Sequence, residues 1–219
     1  LSFSYKDSLS EDGGTAFSID KIVLLNDKME EVKSFDETKV TYSMKIKTKG
    51  YIIWDNEIPF DYYFDFLAVD NGFFLSKFSD NEILLEKFDF SGRKVMEIKK
   101  RCRKKPFKDQ KDKDFYGFTK SYEKNKWYES RKYKRSVTGL FEDGKQRLWV
   151  ATPNDEKKKG IKFYVFEDGI YKFSTVIDLK VTSEYLFFNN GGISFVGDKL
   201  YLFNFSDDFG VKCYNIIEE

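Results

Sequence analysis

Histidine is missing altogether from this 219-residue chain, and its absence removes whole classes of chemistry. Ser-His-Asp and Cys-His nucleophile activation need an imidazole base, and most transition-metal sites use at least one imidazole ligand. Cysteine is nearly absent too. Cys102 and Cys213 stand far apart without CxxC spacing, which excludes the recognisable zinc, haem-attachment and redox motifs. The pair is compatible with one long-range disulfide or with two separate thiols. No apolar run reaches the roughly 18 residues of a membrane-spanning helix. Neither a dinucleotide-binding G-x-G-x-x-G, a P-loop nor an EF-hand spacing occurs. The chain opens on Leu1 with no charged leader or apolar stretch behind it, so a removed signal peptide, a trimmed terminus and unobserved upstream sequence all fit.

Aromatic residues are abundant instead, at 19 % of the chain with 24 Phe, so the core is expected to be built largely from rings. The formal net charge of +1 hides an asymmetry. Residues 99–135 hold 16 Lys and Arg against 5 Asp and Glu, an excess of eleven positive charges that leaves the remainder ten negative.

Proline is scarce, at three residues, and a 3.6-residue apolar period never persists beyond a turn or two. Short runs of Ile, Val, Phe and Tyr alternate with turn signals such as Asn26-Asp27, Asp70-Asn71-Gly72, Ser91-Gly92, Asp143-Gly144, Asp168-Gly169 and Gly197-Asp198. This punctuation predicts an all-β meander in one domain over residues 1–219. One hairpin recurs, as IVLLNDKMEEVKSF (22–35), LLEKFDFSGRKVMEI (84–98) and KFYVFEDGIYKFSTV (162–176). A second strand pair precedes it, at residues 64–79, 136–154 and 187–206. Two pairs make a four-stranded unit of roughly 40 to 45 residues, the period of a propeller blade. Trp149 falls where the other copies have Phe74 and Tyr201, which points to packing between stacked units rather than ligand contact.

Lines such as FDFSGRKVMEI and DGKQRLWVATPND resemble the six-bladed β-propeller group that includes NHL-repeat and TolB-like proteins. The resemblance runs from about Ile19 to Ile217 and implies blades of four antiparallel strands. At that period the chain accommodates about four to five of them, part of a six-bladed disc. It also implies a binding or scaffolding role in the bacterial cell envelope, hence a periplasmic, lipid-anchored or secreted location.

The basic stretch at 99–135 interrupts the repeat between one unit's last strand and the next unit's first, so it is expected to emerge on one face. Eight rings are interleaved with its cations. That composition suits a lid or partner-contact element whose Lys stems cover apolar surface. It also suits polyanion binding, but the acidic remainder speaks against nucleic acid. The expected contact residues are Arg101, Arg103, Lys104, Lys105, Tyr116, Tyr122, Trp127, Tyr128, Arg131 and Arg135, and the expected partner is a protein.

Residues 187–203, FFNNGGISFVGDKLYLF, resemble a line of calcium-dependent lactonases of the gluconolactonase kind, which are six-bladed as well. That resemblance implies a calcium ion held in a central channel by the side-chain oxygen of Asn190 and, as the alternative function, metal-assisted lactone hydrolysis. Asn-Gly backbone freedom in a turn explains the same residues. A glycan- or peptide-binding propeller using exposed Tyr and Trp is a third reading. The acid pairs Glu142-Asp143, Glu167-Asp168 and Asp207-Asp208 fall in hairpin turns, where Asp caps its own backbone, so no catalytic residue is assigned and no cofactor beyond calcium is implied.

Overall fold

A computed structural model describes residues 2–9, 15–46, 52–57, 63–108, 132–153, 160–177, 192–204 and 210–216. Its regular structure there is entirely strand. Sheet I consists of β1 (Ser2–Leu9), β2 (Thr15–Leu25), β3 (Glu31–Ile46) and β4 (Ile52–Glu57). Sheet II consists of β5 (Tyr63–Val69), β6 (Gly72–Lys77), β7 (Glu82–Phe88) and β8 (Lys94–Arg101). Sheet III holds β9 (Gly139–Glu142), β10 (Leu148–Thr152), β11 (Ile161–Glu167) and β12 (Ile170–Ile177), and sheet IV holds β13 (Ile193–Val196), β14 (Lys199–Asn204) and β15 (Gly210–Asn215). Each is an antiparallel meander in chain order, the pattern of propeller blades. The all-β fold and the four-strand unit of sheets II and III are therefore as the sequence predicts. The hairpin at 22–35, by contrast, joins the second and third strands of sheet I rather than the third and fourth, and sheet IV has three described strands.

Period-2 alternation gives the inner strands of sheets II and III two apolar faces, and each face is covered by the adjoining sheet. On β6, Phe73 and Leu75 join Ile22 and Leu24 of sheet I in one core, while Phe74 joins Leu148 and Val150 of sheet III in the next. On β10, Trp149 and Ala151 turn the other way and pack with Ile193, Leu200 and Leu202 of sheet IV. Three seams thus run I–II, II–III and III–IV. All of β10 is buried, because it is covered on both sides. At about 1.5–3 kcal/mol for each large apolar side chain buried, these seams supply most of the favourable free energy available to the fold. The first strands of successive sheets approach one another, β5 to β9 and β9 to β13. They form the narrow inner edge of a fan.

Trp149 is 3 % exposed and packs edge-on to Phe163 and Phe173. Phe74 and Trp149 each face the following sheet, and the half-buried Tyr201 lies on the corresponding face of β14, since Leu200 and Leu202 on either side face the preceding sheet. The correspondence read from the sequence is therefore a packing repeat.

The hairpin at 22–35 is seated on sheet II as the hairpin at 162–176 is: Gly92 lies against Lys33 and Phe35, and Gly169 against Met96. Three turns share one construction. In Asn26–Glu30, Asp89–Arg93 and Asp143–Arg147, the first side chain's Oδ1 accepts the amides two and four residues on, at 2.9 to 3.0 Å. The fourth residue takes a positive φ, 64° at Met29, 78° at Gly92 and 60° at Gln146. This is the Asp and Asn turn chemistry expected of those positions. In sheet III the carboxylate does more, since Asp143 Oδ2 accepts from Arg147 Nε at 2.7 Å and Trp149 Nε1 at 2.8 Å. Burial pushes the Asp143 carboxyl up, but these bonds outweigh it and hold the group below the usual carboxylate range.

The β5–β6, β9–β10 and β13–β14 turns lie at one end of the sheets, the turn face, while the described ends of the link from sheet II to sheet III lie at the other, the connection face. On the turn face neighbouring sheets are latched together. Gln146 Nε2 donates to Asp70 at 3.2 Å across seam II–III, and the Gly144 amide donates to the Gly197 carbonyl at 3.0 Å across seam III–IV. A β-carbon on Gly144 would stand 2.6 Å from both Cα and O of Gly197. Gly144→Ala should therefore force the two turns apart and cost about 1–3 kcal/mol, seen as a lower Tm in thermal unfolding. An unchanged Tm would show that the latch does not constrain the seam.

Candidate functional site

The connection between sheets II and III holds the basic stretch, and its two described ends meet as a neck. The first three residues of 99–135 complete β8, so the connection proper starts at Cys102. Phe107 N donates to Lys132 O at 3.1 Å and Lys134 N donates to Lys105 O at 2.8 Å, with an antiparallel bridge between Pro106 and Tyr133. The neck is anchored to the sheets on both sides. Cys102 N donates to Asn81 O at 2.8 Å, and Ser136 contributes its amide to Ser79 O at 2.6 Å and its hydroxyl to the carbonyls of Ser79 and Glu82. Lys104 Nζ reaches Asp80 at 3.0 Å and sits 5.0 Å from the Tyr133 ring, while Lys105 Nζ donates to Pro153 O of sheet III.

Between neck and sheets lies a recess of about 160 Å³. Five cations line it, Arg103, Lys105, Lys134, Arg135 and Lys162, against one carboxylate, Asp80. Lys134 is 6 % exposed. Tyr164 forms part of the wall, with Lys162 Nζ 4.7 Å and Lys100 Nζ 5.7 Å from its ring centre. Cys102 also lines the recess. Burial pushes its thiol up from the ordinary value, which leaves it protonated and unreactive near neutrality. Both cysteines are free, so the disulfide alternative falls away.

At the inner end of the same seam stands Asp65, near the start of β5. Burial raises its carboxyl to about 6, against an opposing pull from the charge of Arg135 and a 2.9 Å bond from the Phe66 amide. Directly across the β5–β6 ladder is Ser76, whose fully buried hydroxyl has no hydrogen-bond partner among the described residues. A buried orphan beside a desolvated carboxyl is a costly combination. Nothing in the local sequence signals it, because it depends on Arg135 arriving from a connection seventy residues further on.

Of the predicted contact residues, Arg103, Lys105 and Arg135 converge on the recess and Lys104 stands beside it. Arg101 is apart from them, on the outer strand β8, with its side chain almost wholly in solvent and 3.9 Å from Glu82. Tyr116, Tyr122, Trp127, Tyr128 and Arg131 lie outside the described residues, as does Asn190. Sequence reading missed Lys134 and Lys162 as members of the cluster. Among the described residues, no three Asp, Glu or Cys side chains gather in a way that would hold a metal ion. Asp143 serves the β9–β10 turn, as expected, while Glu142 ends β9, and Asp207 and Asp208 lie outside the described residues.

No family model and no curated protein sequence matches the chain. Among solved structures it is similar to a candidate 6-phosphogluconolactonase from Bacteroides fragilis, at 11 % identity and a TM-score of 0.28, over 95 % of this chain and 66 % of that one. The chain thus spans about two thirds of that protein's length. A likeness at that level bears on neither activity nor substrate.

The raised Asp65 carboxyl has a pH signature. An acid whose folded pKa exceeds its unfolded value of about 3.9 contributes stability that is complete below that pH and is lost as pH rises through its folded value near 6. Asp65→Asn removes the titration. The variant should match the parent near pH 4 and exceed it near pH 7 in urea unfolding. A parent that loses no more stability than the variant between those two pH values would contradict the placement of Asp65.

Proposed function

We propose that this chain is a non-catalytic binding module of the β-propeller kind that engages a protein partner through its connection face and the basic, aromatic segment rooted there. The observation that carries the reading is the neck. A long connection that merely bridged two sheets would need no second ladder, yet here both ends are hydrogen-bonded to each other and to sheets II and III. The segment between them is presented from a fixed base, which lowers the ordering cost of binding. The excess of positive charge on this segment over an acidic remainder favours an acidic partner surface and fast encounter. The sequence resemblance to NHL-repeat and TolB-like proteins supports the same role and an extracytoplasmic setting. The calcium-dependent hydrolase alternative continues to rest on Asn190 and gains no support from the described residues.

The neck also makes a clean test possible. Phe107 and Lys132 are already hydrogen-bonded, so residues 108–131 are replaceable by a short Gly-Ser turn. The shortened protein should unfold within a few degrees of the parent and lose capture of the partner that the immobilised parent retains from native extract. Capture by the shortened protein equal to that of the parent would refute this role.

A further inference from the structure

We draw no further inference here: the strongest candidate, the cleft at the turn-face end of seam II–III lined by Asp70, Glu142 and Asp168 together with Phe74, Leu148 and Phe166, is a cluster of acidic residues with no second observation among the described residues to say what it would hold.

Discussion

Every described sheet that has a neighbour on each side is apolar on both faces, and that constraint governs the molecule. A sheet with one wet face would stand alone as half a sandwich. Sheets II and III have no such face: Phe73 and Phe74 sit side by side on β6 and belong to different cores, as do Leu148 and Trp149 on β10. Such sheets are stable only when stacked, and the outermost ones need cover of their own. The outer strands are less covered than the inner ones: β8, β12 and β15 are largely exposed, with Val211 and Tyr214 of β15 open to solvent.

Stacking divides the molecule into two ends with different work. On the turn face, tight turns built on Asp89 and Asp143 close hairpins, and the contacts of Gln146 with Asp70 and of Gly144 with Gly197 hold adjacent sheets in register. Asp143 is the most heavily used of these residues, fixing its own turn, Arg147 and the indole of Trp149 together. A buried pair of this kind is expensive to break, on the order of 3–5 kcal/mol when one partner is lost. The connection face is where chain length varies freely, because links between sheets need not be short. Its charged recess lies over the II–III seam, which places Lys162 of β11 against the neck that carries Arg103, Lys105, Lys134 and Arg135.

Much of this was legible in the sequence because it is local. Hairpins announce themselves by alternation and by Asn, Asp and Gly at fixed offsets, and Trp149 was recognisable as a packing ring because Phe74 and Tyr201 occupy the same place in other copies. The shared turn construction was there to be found as well, in the spacing from Asn26 to Glu30, Asp89 to Arg93 and Asp143 to Arg147. The site was legible only as a composition. A run of cations marks a charged segment but not which of them converge, and Lys162, on a strand remote from the run, had no signal pointing to it. Asp65 and Ser76 were invisible for the same reason: burial and a distant arginine set their state, and neither is written in the neighbouring residues.

Amide hydrogen exchange resolved by strand tests the stacking constraint most directly. If sheets II and III are held by seams on both faces, the amides of β6, β10 and β11 should exchange slowest and together, through one cooperative opening, while β15 exchanges by local fraying. Exchange of β10 as fast as that of β15, with each sheet opening independently, would contradict a fold built on shared seams.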